Sequence, residues 1–479
     1  LALNNNKANG MHHSIFREYD IRGKIDTELI IDDVYNLTRA IMMYFVRLNP
    51  KLKTVLVGRD GRISSPAIQD KMISALQDCG FDVIIAGLCP SPVLYYGLYT
   101  LPVDAGLMIT ASHNPKDYNG IKLSLGTKTI WGTQIKEIYR LYTDKQFVPK
   151  STSKGVIKNY DLISDYVSAM HNYFPVLVGM KLPIVIDSGN GAGGSVLPQL
   201  VERMDWKNVQ LLCVEVDGTY PNHEPDPTVE KNMADVKAAL TKTDAVVGIG
   251  LDGDCDRMDA MTKQGFLVPG DQLLALFAQD FLKDNPHAAI VFDVKCSQGL
   301  VELLQQWHAK PYISPCGHAI IKEKMNEYAA LLGGELSCHF FFEDRYFGYD
   351  DGIYAMMRLL EIIVKSGKPL DELLRIFPQK ISSPEIRIAS TDEQKFNIVA
   401  HLKNAFGNLK DVELITIDGV RAHFPYGWTS IRVSNTQPML SVRFESDSLH
   451  GFEKIKKDIF EALTPYFEKT VLEKALNQR

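Results

Sequence analysis

Short apolar runs alternate with helical periodicity along most of the chain, and three of the runs open alike: "TVLVGRDGR" from Thr54, "LPIVIDSGNG" from Leu182 and "AAIVFDVKCS" from Ala288. Each run reaches an aspartate, passes through small or polar residues and enters a helical pattern. Bounded apolar runs between helices signal parallel strands buried on both faces. Each opening is answered by a later strand that ends in a polar loop: "DAGLMITASHNP", "DAVVGIGLDGDCDR" and "LLGGELSCHFFFED". The pattern predicts three related α/β domains at 14–156, 157–262 and 263–376. Beyond "FPQKISSPEIRI" it changes, and residues 377–479 read as an α+β domain with strands in "SIRVSN" and "LSVRFES" and a closing helix from about His450. Pro, Ser and Gly in "VPKSTSKG" and "QKISSPE" suit boundaries that few contacts cross. The expected fold is therefore three similar mixed-sheet α/β domains plus a C-terminal α+β domain around a central cleft. Ligands of open α/β sheets bind beyond the carboxyl ends of the strands. If those ends curve around one cleft, Ser112, an aspartate cluster and Glu335 meet there.

The polar loops carry the chemistry. "MITASHNPKDYNGIKL", Met108 to Leu123, sets Ser112 between an apolar run and a Gly-containing turn. "LDGDCDR" places Asp252, Asp254 and Asp256 at alternate positions after another apolar strand. Three carboxylates this close repel, so each pKa should rise unless a cation neutralises them. Oxygen-only ligands imply a hard cation such as Mg2+. An EF-hand would need Gly at its sixth position and Glu at its twelfth, where Arg257 and Lys263 stand; the alternative is a solvated turn. Mg2+ on three protein oxygens has room for a phosphate oxygen, and a phosphorylated Ser112 would bring one.

"GNGAGG", Gly189 to Gly194, also satisfies the G-x-G-x-x-G dinucleotide fingerprint after a strand, with Glu215 and Asp217 further on. A nicotinamide-dependent oxidoreductase is thus a rival from another class. The plainer alternative is a tight turn with close helix–sheet packing, and the fingerprint leaves Ser112 and the aspartates without a role.

Composition narrows the field further. A length of 479 residues suits three or four domains, and a formal net charge of -6 argues against nucleic-acid binding. No uncharged apolar run approaches the ~18 residues of a membrane span, and no charged leader precedes an apolar segment. The seven cysteines form no C-x-x-C pair, so reduced thiols in a cytoplasmic protein are expected and zinc is not. The opening "LALNNNKANGMHH" reads as a disordered lead-in.

Together, "FREYDIRG", "TASHNP", "YNGIKL", "PNHEPDPTVEKN", "GLDGDCDR", "FDVKCS", "CGHAIIK", "GGELSCH" and "RVSNTQP" resemble the α-D-phosphohexomutase family, in its phosphomannomutase/phosphoglucomutase branch. They occur in family order from Phe16 to Pro438. The resemblance implies that Ser112 carries the transferable phosphoryl group and completes a site for one Mg2+ with Asp252, Asp254 and Asp256. It implies that Arg22, His113, Lys122, Arg257 and His339 surround that group, with Lys122 and His339 as proton carriers. Glu335 and Ser337 would bind sugar hydroxyls; Arg432, Ser434, Asn435 and Thr436 would hold the phosphate that is not reacting; Tyr19, Lys295, Gly317 and His318 would complete the substrate site. The implied substrates are hexose phosphates, with a hexose 1,6-bisphosphate as intermediate and activator, in a monomer or weak homo-oligomer. Cys338 departs from the small Gly or Ala usual in the sugar loop, and Gln437 from the usual Glu of the phosphate loop. Phosphoglucosamine mutase is the nearest alternative, although its phosphate loop typically has Gly where Asn435 stands. An inactive sugar-phosphate binding protein would have little reason to keep Ser112 beside three aspartates.

Overall fold

A computed structural model describes residues 10–434 and 439–477. The opening residues 1–9, part of the expected lead-in, lie outside the described residues, as do Asn435, Thr436 and Gln437. The end of the lead-in packs instead of straying: Met11 is buried, and its N–H donates to Tyr142 Oη at 2.8 Å. By compactness the chain forms two units, one of residues up to Pro269 with Ser337–Leu373, the other of Gly270–Leu336 with the residues from Leu374 on.

The first unit opens with a sheet of β1 (Ile21–Lys24), β2 (Thr54–Arg59), β3 (Asp82–Leu88), β4 (Ala105–Ile109), β5 (Tyr118–Leu125), β6 (Lys128–Thr129) and β7 (Ile157–Asn159). The order is β1-β5-β4-β2-β3-β7, with β6 beside β5. β2, the "TVLVGR" run, is parallel to both neighbours β3 and β4, whereas β5 runs antiparallel to β4 and β1 to β5. That reversal sets the TASHNP loop between two antiparallel strands, with Met108 opposite Lys122. Helices Val34–Leu48, Ser65–Asp78 and Thr133–Thr143 bury Leu37, Ile41, Ile68, Met72, Ile135 and Ile138 in the same core as Val55, Val57, Leu107 and Ile121. The i, i+3, i+4 spacing of these residues is what gives each helix one apolar stripe.

A second sheet in this unit contains β8 (Ile184–Asp187), β9 (Val209–Leu212), β10 (Val247–Leu251) and β11 (Met258–Thr262), ordered β11-β10-β8-β9. The first three are mutually parallel where they pair, and β11 is antiparallel to β10, so DGDCDR forms the turn between them. In the second unit β12 (Ala289–Asp293) lies between β13 (Lys310–Ser314) and β14 (Leu332–Gly334), both parallel to it. β15 (Phe340–Phe342) falls in the first unit. The closing sheet, β16 (Ile381–Ser382), β17 (Ile386–Ala389), β18 (Glu413–Ile415), β19 (Val420–Phe424), β20 (Gly427–Val433) and β21 (Met439–Ser446), is antiparallel throughout its described pairs. "SIRVSN" supplies β20 and "LSVRFES" β21. The closing helix is Leu449–Leu463, and a further helix, Lys469–Leu476, packs Leu472 and Leu476 into the same core.

The mixed-sheet expectation holds, but the first two sheets are less uniformly parallel than apolar runs alone suggest. Strands buried on both faces look the same in sequence whichever way they run.

Candidate active site

β4 delivers Ser112 at the carboxyl end of its strand, in the left-handed region at φ 49°, with the residue 4% exposed. A non-glycine residue there bears a strain that its surroundings must hold. The Ser112 N–H donates to Thr110 Oγ1 at 2.9 Å, and its carbonyl accepts from Arg62 Nη2 at 2.7 Å. Arg62 is the residue that sequence reasoning missed. It is fully buried, pairs with Asp60 at 3.2 Å, and also donates to the carbonyls of Asn114, Pro115 and Tyr118 at 2.6, 2.8 and 3.0 Å. One guanidinium therefore satisfies four loop carbonyls and sets the path of TASHNP. Its only signal was the charged end of the "GRDGR" run, which reads equally well as a solvated strand end.

Replacing Arg62 by methionine would orphan those carbonyls and leave Asp60 buried without its partner. The expected cost is about 3–5 kcal/mol, read as a lowered denaturation midpoint together with loss of turnover. An unchanged midpoint would show that the clamp is dispensable.

The aspartate loop meets this serine directly. Ser112 Oγ donates to Asp252 Oδ2 at 2.6 Å and lies 3.1 Å from His113 Nδ1. Gly253 allows the approach, because a Cβ there would stand 2.5 Å from the Ser112 carbonyl oxygen. Behind it, a Cβ on Gly191 would stand 2.7 Å from the Gly253 carbonyl oxygen, and the Ala192 N–H donates to that oxygen at 2.8 Å. The GNGAGG segment is thus a backbone buttress for the aspartate turn. It runs into a short 3-10 turn, Ala192–Ser195, and a seven-residue helix, Leu197–Arg203. The close-packing reading of these glycines accounts for what is seen.

Each aspartate has its own partner. Asp252 also accepts from the Arg257 N–H at 3.1 Å and from Arg257 Nε at 3.2 Å. Asp254 Oδ2 accepts from Ser91 Oγ at 2.5 Å and Lys122 Nζ at 2.6 Å, and the same ammonium bonds Asp256 Oδ2. His339 Nε2 stands 3.5 Å from Asp256 Oδ1, with Ser337 Oγ 3.2 Å from its Nδ1. Arg257 further pairs with Asp226 at 3.3 Å. Arg22 bonds Asp20, the Ala111 carbonyl at 3.2 Å and Asn114 Oδ1 at 2.9 Å, which places it on the serine loop. Tyr19 is half-buried in the bend before β1.

These contacts divide the carboxylates, because the Lys122 ammonium bonds Asp254 and Asp256 whereas Asp252 pairs with Arg257. Burial, then the charge of Asp256, pushes Asp252 up to about 8. Burial opposes ionisation of Asp256 too, but Lys122 and His339 hold it well below the usual range. Lys122 is raised well above its ordinary value, because Asp254 and Asp256 outweigh burial. His113 is pushed well down by burial and then by Arg257, and is neutral near pH 7.

The cluster fits a cation. One ligand atom from each of Asp252, Asp254 and Asp256 lies within 4.8 Å of the others. Asp254 Oδ1 is buried with no hydrogen-bond partner among the described residues, the state of an acceptor shaped for something other than a protein donor. Lys122 engages the Oδ2 atoms of Asp254 and Asp256, so each retains a second oxygen for a metal.

The second unit gathers another set of predicted residues. Glu335 Oε1 accepts from the Gly317 N–H at 2.6 Å, and Gly317 caps the helix His318–Tyr328, whose first residue is His318. Lys295 Nζ lies 3.3 Å from Glu385 Oε1, and that carboxylate accepts from Ser441 Oγ at 2.5 Å. Burial opposes the charge on Glu385, but Lys295 and Ser441 hold it down to about 2. Arg432 Nε donates to Asp418 Oδ2 at 2.9 Å, and the Cys316 N–H donates to the same oxygen at 3.0 Å. Asp418 therefore ties Arg432 to the loop that carries Gly317 and His318. Ser434 follows β20. The predicted Asn435 and Thr436 lie outside the described residues. Cys338, in the first unit, is buried at φ 68°, which explains the advantage of glycine there.

The fold and site define a four-domain α/β protein whose first two domains present a serine to three carboxylates. The chain belongs to the phosphoglucomutase/phosphomannomutase family. The family's alpha/beta/alpha domain I matches residues 13–149, domain II 164–265, domain III 269–381 and the C-terminal domain 385–462. A phosphomannomutase/phosphoglucomutase of Pseudomonas syringae pv. tomato is 41% identical over 444 residues, covering 92% of this chain and 93% of that protein. A phosphoglucomutase of Neisseria meningitidis serogroup A is 38% identical over 92% of this chain and 95% of its own. The crystal structure of a phosphoglucomutase/phosphomannomutase family protein from Burkholderia thailandensis superposes with a TM-score of 0.86 at 35% identity, covering 95% of this chain and 98% of that one. Among the described residues, no helix is long and apolar enough to cross a membrane.

Proposed function

We propose that this protein interconverts hexose 1-phosphates and hexose 6-phosphates, of mannose and glucose, through a phosphoserine at Ser112. The observation that carries the reading is the strained, buried Ser112 with its Oγ 2.6 Å from Asp252 in a three-carboxylate cluster. In the forward direction the phosphorus–oxygen bond at Ser112 breaks as a substrate hydroxyl attacks phosphorus and loses its proton. The product is a hexose 1,6-bisphosphate. It then returns its other phosphoryl group to Ser112, which regenerates the enzyme and releases the isomeric monophosphate.

Ser112 must shed a proton on that return, and His113 Nδ1, 3.1 Å from its Oγ and outside the proposed metal ligands, is an acceptor within reach. His113, neutral because burial and Arg257 disfavour its charged form, has a ring nitrogen able to take that proton. Lys122 and His339, paired with Asp254 and Asp256, are proposed as the proton carriers at the sugar hydroxyl. Arg257 and Arg22 supply cationic hydrogen bonding for the phosphoryl oxygens. Asp252, Asp254 and Asp256 would hold Mg2+, which when bound neutralises phosphoryl charge. Glu335 and Ser337 are proposed to read sugar hydroxyls. Arg432 and Ser434, with Asn435 and Thr436 of the same stretch, are proposed to hold the distal phosphate, supported by Lys295, Gly317, His318 and Tyr19. A coupled assay over a panel of hexose 1-phosphates tests the reading; no turnover of any of them by Mg2+-loaded, bisphosphate-activated protein would refute it.

Glucose and mannose phosphates should both be used, with kcat/KM values within about a hundredfold. The two sugars differ only at the C2 hydroxyl, and no residue of the proposed sugar set is a dedicated partner for it. Strong rejection of an epimer needs a buried polar group left unpaired by the wrong one. A ratio above about a thousand would show that the pocket reads C2 after all.

A further inference from the structure

Away from the serine, the carboxyl ends of β8 and β9 assemble a second group of ligating side chains. Asp187 ends β8, and Cys213 follows β9 directly, the two strands being parallel with Asp187 opposite Leu212. His223 comes from the loop beyond. His223 Nε2 lies 3.2 Å from Asp187 Oδ2 and 3.8 Å from Cys213 Sγ. Asp187 is buried, whereas Cys213 and His223 are half-buried and open to solvent. Cys213 is held in the left-handed region at φ 45°, where its carbonyl accepts from the Asn190 N–H at 2.7 Å.

The wiring of the imidazole shows what the group is suited to. His223 Nδ1 lies 2.9 Å from the Glu224 carbonyl, an oxygen that can only accept, so Nδ1 carries a proton. In the neutral ring, Nε2 then presents a lone pair toward a carboxylate oxygen and a sulfur. A proton on the ring or on the thiol, or a metal between them, makes that arrangement favourable. The second carboxylate oxygen, Asp187 Oδ1, is already engaged by the Gly189 N–H at 2.7 Å, which orients the group. A backbone carbonyl on the distal imidazole nitrogen and a hydrogen bond to the ligating carboxylate are the supports that metal ligands ordinarily receive.

We infer that Asp187, Cys213 and His223 form a site for a borderline dication of the zinc class, separate from the three-aspartate cluster. Tetrahedral zinc, with bonds of about 2.0 Å to N and O and about 2.3 Å to S, puts N and O about 3.3 Å apart and S and N about 3.6 Å apart. The observed separations differ from these by tenths of an ångström. One thiolate, one carboxylate and a neutral imidazole balance a dication, and three protein ligands leave a position for water. Sulfur and nitrogen donors discriminate against Mg2+, so the two sites select different ions. Burial, then the Asp187 carboxylate, pushes the Cys213 thiol up to about 12; binding therefore releases the thiol proton to solvent.

Co2+ serves as the probe, titrated into chelator-stripped full-length protein. Wild type should develop thiolate-to-metal charge-transfer absorption, saturating at one equivalent and bleached by Zn2+. Co2+ among the aspartates has only oxygen ligands and contributes no such band. Cys213→Ser should abolish the band, and His223→Ala should weaken binding at least about tenfold. Should either variant fail to fold, alkylation of wild-type protein decides. Zn2+ should slow labelling of Cys213, read by peptide mass mapping, at least about tenfold and leave Cys79, the other half-buried thiol, unchanged. Absence of the band in wild type, its persistence in Cys213→Ser, or equal Cys213 labelling with and without Zn2+ would each overturn the assignment and leave His223 as an imidazolium between Asp187 and Glu224.

Discussion

Ser112→Ala is expected to lower kcat/KM by at least about a thousandfold, some ~4 kcal/mol of transition-state stabilisation, while the protein stays folded. The nucleophile splits one difficult transfer into two easier ones, and no neighbouring atom can replace it. His113 Nδ1 is 3.1 Å from Oγ but is positioned as a partner of the serine. Folding should survive because the features that hold the loop are backbone ones: Arg62 on the Ser112 carbonyl and Thr110 on its N–H. The substitution removes the hydrogen bond to Asp252, whose carboxylate keeps the Arg257 N–H and Nε. The left-handed backbone at φ 49° strains alanine about as it strains serine, so the stability change should stay within about 1 kcal/mol. Turnover and phosphate mapping by mass spectrometry check this together. Activity above a tenth of wild type, with phosphate on another residue, would remove Ser112 from the mechanism.

The second large effect concerns the carboxylate cluster. Exhaustive chelation should abolish transfer, and Mg2+ should restore it. Asp254→Asn should fall below about one per cent of wild type at any Mg2+ concentration. A phosphoserine brings close to two negative charges to a turn whose own three carboxylates already pair with Lys122 and Arg257, with His339 3.5 Å from Asp256. Without a dication that charge is uncompensated in a buried site. Asparagine keeps the shape at position 254 and an oxygen for Ser91 and Lys122, so loss of activity with an unchanged melting profile would report charge and not packing. Full activity after chelation would exclude a metal requirement.

Sequence alone determined the domain plan, the serine loop and the aspartate turn. Period and punctuation carried the first: β-branched runs that end in Asp and lead into helices are recognisable wherever they fold. The other two rest on local spacing, because Asp252, Asp254 and Asp256 are near one another in any conformation of a six-residue turn. Tertiary structure decided everything that depends on which residues meet from distant parts of the chain. Arg62 reads as a charged strand end until its four carbonyl partners are seen. Lys122 reads as a catalytic cation, and only the antiparallel pairing of β4 with β5 shows it neutralising Asp254 and Asp256, which splits the pKa values of the cluster. Glycines that satisfy a dinucleotide fingerprint prove to be contact points for the aspartate turn, since a fingerprint records small residues but not what presses against them. Asp187, Cys213 and His223 show the same limit: their grouping is not legible in sequence, because two parallel strands and a loop make them neighbours in space.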